Sequence, residues 1–382
     1  MHVAWLGKRS PFCGNVTYSR EITNALRDRG HEVSFLHFAQ EEETEDEAQR
    51  DVKEVPLPYL YKSQIYTLPT LGATKVLTQS LSRLQPHLLH ASLTLSPLDF
   101  VLPEICDELQ LPLISTFHPA FDQKLRNFAS GTQQLTYQLY APFLASYDCT
   151  IVFSQIQREM LIKLGVEPDR VAVIPNGVDV VKYSPGPSSV KQELGCDRLF
   201  VYVGRLAQEK NVEPMLKAWK KATMPANCKL AIVGSGPLKA SLQSFYGPEH
   251  GVEWLGYVAD EARRIDILRA ADVFVLPSLV EGLSLSLLEA MACGVACLAT
   301  DVGADGEVIE RGAGIRLNPQ QVYGQLRTLL PMLAEHEEIV ALLGRRARDR
   351  VLERYTLDRN LNQLEALYAE ILKRQRSPFN RK

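Results

Sequence analysis

Four side chains in the second half of the chain have the types and spacing to grip a ligand that carries both phosphate and hydroxyl groups. They are Arg205, Lys210, Glu281 and Glu289. Arg205 follows almost directly on the apolar run Leu199 to Val203, which reads as a buried strand, and Lys210 comes five residues later. Open α/β sheets bind ligands beyond the carboxyl ends of their strands. A guanidinium there meets phosphate oxygens two at a time, and an ammonium adds a point charge. Asn211 is predicted to cap the next helix, with Val212, Glu213 and Pro214 in its first turn. Glu281 and Glu289 are separated by seven residues. Glu281 falls in the loop after the strand Val273 to Leu276, and a helix predicted to start near Ser284 carries Glu289 one turn in. The amides of that helix start, around Ser286 and Leu287, favour an anion. A carboxylate beside a phosphate is repelled, so Glu281 is assigned to sugar hydroxyls and Glu289 to a ribose hydroxyl. Solvated surface cations and helix-capping acids remain the plain alternative for each residue alone.

These residues need a scaffold of alternating strands and helices. At the start, His2 to Leu6 reads as a strand, Val16 to Arg29 as a helix with Ile22, Ala25 and Leu26 on one face, and Val33 to Phe38 as a second strand. Leu88 to Ala91, Leu111 to Phe117 and Thr150 to Ser154 continue the series, and Val171 leads to a turn at Pro175-Asn176-Gly177. A second βα series begins at Leu199, with Lys229 to Val233, Val273 to Leu276 and Val295 to Ala299 as its later strands. The fold class is therefore α/β, with two doubly wound, Rossmann-like domains facing a cleft. The expected boundaries are 1–183 for the first domain and 184–356 for the second. The segment 357–382 is expected to be a helix, roughly Leu357 to Lys373, that crosses back to the first domain and ends in a basic tail.

Composition narrows the function classes. At 382 residues, with 46% hydrophobic and 23% charged residues, the chain is long enough for two cores and is not of disordered type. A net charge of -3 gives no global pull toward nucleic acid. The seven cysteines are scattered without paired CxxC motifs, which argues against a zinc site and for reduced thiols in a cytoplasmic protein. No signal peptide and no bilayer-spanning run is read, so a membrane role would be peripheral.

The ordered set of motifs then resembles glycosyltransferase family 4, whose members have the GT-B architecture and retain anomeric configuration. Gly204-Arg205, Lys210, Glu281 and Glu289 carry the resemblance. So do Val233-Gly234-Ser235-Gly236-Pro237, Leu255-Gly256-Tyr257-Val258 and Ala290-Met291-Ala292-Cys293-Gly294. The resemblance implies that Arg205 and Lys210 stabilise a departing diphosphate and that Glu289 holds the ribose. It places Glu281 on the donor sugar and the Ser286 and Leu287 amides on phosphate, with Gly234, Gly236 and Tyr257 bordering the base. His118, after Leu113 to Phe117, is implied to contact the donor sugar from the first domain. Gly14 would let ligand and backbone approach in the first βα loop, although Cys13-Gly14 stands where many relatives have two glycines. The working site would then be complete only when the domains close. Asn176 to Asp179 reads better as a turn and hinge. No cofactor is implied beyond the nucleotide-sugar substrate. With no DxD motif, an essential metal is not expected.

The acceptor is read from the first domain. Two stretches combine aromatic and basic residues: Tyr59 to Lys62 with Tyr66, and Phe121 through Lys124, Arg126, Phe128, Tyr137, Tyr140, Phe143 and Tyr147. They suit a lipid acceptor at a membrane surface, or else a core-facing helix with a solvated side. The opening from Trp5 to Tyr18 resembles the bacterial, photosynthetic-type digalactosyldiacylglycerol synthases. That implies galactose transfer from UDP-galactose to monogalactosyldiacylglycerol. Family 4 transferases for exopolysaccharide, lipopolysaccharide or another glycolipid are the alternative. An inactive sugar-nucleotide-binding module and a GT-B epimerase are the readings of another class.

Overall fold

A computed structural model describes residues 1–9, 14–39, 53–63, 66–119 and 128–376, with the backbone alone for 53, 128–133 and 376. Cys13, the acidic run Glu41 to Glu47, Phe121, Lys124, Arg126, the Phe128 side chain, Arg381 and Lys382 lie outside the described residues.

The apolar runs form two parallel sheets. The strands of the first are β1 (His2–Gly7), β2 (Glu32–Phe38), β3 (Lys53–Leu57), β6 (Leu88–Ser92), β7 (Leu113–Thr116), β8 (Cys149–Val152) and β9 (Val171–Val173). Their order is β3-β2-β1-β6-β7-β8-β9. A short antiparallel hairpin, β4 (Tyr59–Lys62) and β5 (Thr67–Pro69), stands apart from this sheet. The second sheet contains β10 (Arg198–Val203), β11 (Cys228–Val233), β12 (Val252–Gly256), β13 (Val273–Leu276), β14 (Ala296–Thr300) and β15 (Ile315–Leu317). Its order is β12-β11-β10-β13-β14-β15. Each sheet runs outward in one direction from its first strand and then reverses. The reversal falls between β1 and β6 in one and between β10 and β13 in the other, and such switch points open a ligand crevice at the strand ends. Helices cover parallel strands on both faces, so β1, β6, β7, β8, β13 and β14 are buried along their whole length.

The described residues up to Pro119, those from 128 to Pro175 and those from Asn360 onward form one compact unit, and Asn176–Arg359 form the other. The division falls at 175/176 instead of 183/184. Residues 176–183 are tied into the second unit: Asn176 Nδ2 donates to the Leu283 carbonyl at 3.0 Å, and Val178 pairs with the backbone of Tyr355 and Leu357. A Cβ on Gly177 would lie 2.7 Å from the backbone of Thr356 and Leu357, so this crossing needs glycine.

Helix α1 (Gly14–Asp28) packs Val16, Tyr18, Ile22 and Leu26 inward. Helix α2 spans Phe128–Leu144, α3 Val212–Lys221, α4 Leu285–Ala292 and α5 Leu357–Arg376. From Asn360 onward α5 groups with the first unit. It buries Leu361, Leu364, Tyr368 and Ile371 at helical spacing. Glu365 accepts from Arg29 at 2.7 Å and pairs with His31 at 2.8 Å. Tyr368 Oη lies 2.6 Å from His90 Nδ1, and His90 Nε2 lies 2.8 Å from Thr116 Oγ1. His90 also stacks on Trp5 with ring centroids 4.0 Å apart. The six described cysteines are buried free thiols.

Burial, and next the neighbouring His118, push the His90 pKa down to about 3 from its ordinary 6.5. The unfolded chain therefore takes up a proton below pH 6.5 that the folded one refuses until about pH 3. This stability is full above pH 6.5 and is lost as pH falls toward 3. Urea unfolding across that range should show a shallower acid decline in His90→Asn than in wild type, whatever the absolute stability of the variant. At pH 7, Tyr368→Phe should cost about 1–3 kcal/mol by leaving His90 Nδ1 without a partner. Parallel acid profiles, or a Tyr368→Phe loss under about 0.5 kcal/mol, would contradict this assignment.

Candidate functional site

In the second unit the site is assembled by three loops at the carboxyl edge of the sheet. After β10 the chain runs through Gly204, Arg205 and Leu206 against the Gly234–Gly236 loop after β11. Gly204 N donates to Val233 O, Leu206 N to Ser235 O, and Leu238 N to Leu206 O, each at 3.0 Å. A Cβ on Gly234 would sit 1.9 Å from the Gly204 carbonyl oxygen, and one on Gly236 would sit 2.4 Å from the Leu206 oxygen. Gly234 also has φ +142°, which side chains rarely adopt. These two glycines thus have a structural task, holding the Arg205 loop down.

The same loop is fastened to the one after β13. Asn211 does not cap α3 with its side chain. It adopts a left-handed conformation at φ 52°, and its Nδ2 donates to the Pro277 carbonyl at 3.1 Å. Leu279 N donates to Glu209 O at 2.8 Å. Lys210 Nζ meets Glu281 Oε1 at 2.6 Å, and Ser278 Oγ donates to the same oxygen at 2.7 Å. Arg205 pairs with Glu209. Both cations of the loop therefore rest on carboxylates. The Arg205–Glu209 pair is about a third exposed on each side and exchanges cheaply, whereas Lys210 and Glu281 are mostly buried.

A third loop supports Glu281 from beneath. Ala304 N donates to Gly282 O at 2.8 Å, and a Cβ on Gly303 would lie 2.0 Å from Glu281 O. Asp305 Oδ1 accepts from Ser284 N at 2.8 Å. Burial, and next the Glu281 charge, raise the Asp305 pKa well above the usual carboxylate range. Ser284 caps α4, at the helix start expected from sequence, and its Oγ accepts from Leu287 N at 3.3 Å. The Leu287 amide thus meets the Ser284 hydroxyl, and Leu285 and Ser286 keep amides that no helical carbonyl reaches. Glu289 is half-buried on α4, and its charge, after burial, helps raise the Tyr183 phenol. Tyr257 follows β12 and is 57% exposed.

The other assigned residues lie in the first unit. His118 stands two residues beyond β7, half-buried, with Tyr18 in an edge contact and Phe153 tilted against its ring at centroid distances of 5.1 and 5.4 Å. Its Nε2 is 2.8 Å from Ser92 Oγ. Burial, and next the Lys8 ammonium, push its pKa down to about 3. Gly14 opens α1, exposed, and a Cβ there would meet nothing within 4 Å, so the fold itself does not require glycine at this position. Ser92, Asn15, Ser278 and Asp305 were not singled out from sequence. Ser92, Asn15 and Asp305 act through partners distant in the chain, which leaves no local signal, whereas Ser278 acts on Glu281 three residues further on. The described residues include no group of three His, Cys, Asp or Glu side chains able to hold a metal ion.

Two family models divide the chain between them: Glycosyltransferase Family 4 over residues 13–182 and Glycosyl transferases group 1 over residues 197–332. The chain is built of the two glycosyltransferase domains of a GT-B protein. The fold agrees. The crystal structure of Anabaena Alr3699/HepE in complex with UDP superposes with a TM-score of 0.78 at 19% identity, covering 97% of this chain and 100% of that one. The N-acetyl-alpha-D-glucosaminyl L-malate synthase of Bacillus anthracis is 27% identical over 54% of this chain and 56% of its own. The UDP-Gal:alpha-D-GlcNAc-diphosphoundecaprenol alpha-1,3-galactosyltransferase of Escherichia coli is 28% identical over 56% of this chain and 58% of its own. The chain thus spans little more than half the length of these curated relatives.

Gly234→Ala should destabilise the protein by about 3 kcal/mol or more, since both the backbone angle and the Gly204 carbonyl oppose a side chain. Gly14→Ala should stay within about 0.5 kcal/mol of wild type in the same thermal or urea unfolding measurement. Equal effects at the two positions would refute the structural task given to Gly234.

Proposed function

We propose that this protein is a retaining glycosyltransferase that moves galactose from UDP-galactose to monogalactosyldiacylglycerol at a membrane surface. The convergence of Arg205, Lys210, Glu281 and the α4 amino terminus at one switch point supports the donor half. In this reading Arg205 leaves Glu209 for the diphosphate, joined by Lys210 and the Ser286 amide. Glu289 takes the ribose hydroxyls, Gly234, Gly236 and Tyr257 border the base, and Glu281 accepts a hydroxyl of the donor sugar. No carboxylate is assigned as nucleophile. The acceptor hydroxyl oxygen bonds to the anomeric carbon on the face from which the phosphate departs, and its proton passes to the leaving diphosphate. The products are UDP and the lengthened glycolipid, with configuration retained and the departing charge met by Arg205 and Lys210.

One observation carries the lipid half. Among the described residues of the first unit, all eight exposed large apolar side chains fall on two neighbouring elements. Leu60, Tyr61, Tyr66, Leu68 and Leu71 belong to the β4–β5 hairpin and the turn after it. Leu135, Leu139 and Phe143 recur every four residues along α2. The turn Pro97–Phe100 joins them: it packs beside β5, and the Phe100 ring lies 4.4 Å from that of Phe143. Scattered exposed apolar residues are ordinary, but a connected band marks an interaction surface. Helix α2 carries no charged residue in its 17 positions, which suits lipid better than water. Tyr137, Tyr140 and Tyr147, grouped with this surface by sequence, belong instead to the core, where their hydroxyls donate to Pro119 O, Asp99 Oδ2 and Asp99 O. No helix among the described residues is long and apolar enough to cross a membrane.

Purified protein incubated with labelled UDP- and GDP-sugars and monogalactosyldiacylglycerol micelles should yield digalactosyldiacylglycerol from UDP-galactose, undiminished by a chelator. No lipid product from any donor would overturn the glycolipid reading, and loss of activity with chelator would overturn the metal-free one. In vesicle flotation the double variant Leu135→Asp/Leu139→Asp should bind at least about tenfold more weakly than wild type, because each leucine forfeits its burial. Unchanged flotation would remove α2 from the membrane surface.

A further inference from the structure

The hydrogen bonds around His118 determine which of its ring nitrogens carries the proton. Asn15, one residue after Gly14, sends Nδ2 to the Leu93 carbonyl at 3.1 Å. A carbonyl accepts only from a donor, so the amide orientation is fixed and Oδ1 faces the other way. There it lies 2.8 Å from Ser92 Oγ and 3.3 Å from Ser19 Oγ. Two oxygens 2.8 Å apart need a proton between them, and the amide oxygen has none. Ser92 therefore spends its single proton on Asn15. Its 2.8 Å contact with His118 Nε2 can then be a hydrogen bond only if the imidazole is the donor. The opposite assignment would leave Ser92 and Asn15 as two facing lone pairs at contact distance.

We infer that Asn15 and Ser92 are positioning residues that hold His118 as the Nε2–H tautomer, so that Nδ1 presents a lone pair to a hydroxyl of a sugar substrate. This rests on the reading of His118 as a sugar contact, and it adds the direction of that contact: the substrate hydroxyl donates and the ring accepts. The ring stays neutral at working pH, as its depressed pKa requires, so it acts neither as a proton source nor as a cation for phosphate. Tyr18 and Phe153 fix the plane of the ring, while Ser92 fixes its rotation about that plane. A substrate bearing a carboxylate in place of that hydroxyl would face the Nδ1 lone pair and be excluded, which makes the pair Asn15–Ser92 a device for choosing neutral sugars.

Long-range 1H–15N spectra of the full-length protein labelled with 15N-histidine read the tautomer directly. Wild type should show a protonated Nε2 and a bare Nδ1 for His118, assigned by its loss in His118→Ala. Ser92→Ala should mix the tautomers. UDP-galactose should move the Nδ1 signal in wild type. In galactose transfer, Ser92→Ala should lower kcat/KM about tenfold in wild type and by much less in a His118→Ala background. A protonated Nδ1 in wild type, or equal Ser92→Ala losses in both backgrounds, would overturn the positioning role. A protonated Nε2 with signals indifferent to both UDP-galactose and UDP-glucose would overturn the sugar contact, and with it the assigned use of His118, while leaving the hydrogen-bond chain standing.

Discussion

The second unit's candidate site depends on one close backbone approach. The Gly204 carbonyl occupies space that a Cβ at residue 234 would need, and Gly234 holds an angle that only glycine adopts readily. That contact presses the segment after β10 onto the segment after β11. Arg205 is thereby held at the switch point, and the chain beyond it turns through Gln208–Lys210 toward the loop after β13. There the left-handed Asn211, the Glu209 carbonyl and Lys210 tie the two loops together. Without the approach at residue 234, none of these three links would have its geometry.

The electrostatics follow from that frame. Arg205 and Lys210 are each matched by a carboxylate, so the loop can hold two cations together without a ligand. The two pairs differ in use. The exposed Arg205–Glu209 pair gives way readily to a stronger bidentate partner, such as the proposed diphosphate. The buried Lys210–Glu281 pair, with Ser278 on the same oxygen, orients the carboxylate and keeps the loop closed. Asp305 completes the arrangement: its oxygen anchors the backbone at the α4 start.

Much of this was legible in the residue order. Apolar runs marked β1, β2, β10, β11, β13 and β14 to within two residues, and Ser284 announced the start of α4. The misreadings share a cause: they turned on tertiary contacts. Asn211 has the composition of a cap, but its side chain prefers a carbonyl 66 positions away. Tyr137, Tyr140 and Tyr147 look interfacial by type, yet buried oxygens near Asp99 and Pro119 draw their hydroxyls inward. The strands of the hairpin are four and three residues long, too short for a period to register. Ser92 and Asn15 were invisible because their 77-residue separation closes only when α1 lies against β6.

The central claim, that the β10–β13 switch point holds the diphosphate of a nucleotide sugar, is tested most directly by calorimetric titration of UDP into the full-length protein at fixed salt. The expected result is saturable binding, weakened at least about tenfold by Arg205→Ala through loss of a charge-assisted, bidentate contact, with uridine binding little changed. Equal UDP affinity in wild type and Arg205→Ala would contradict it.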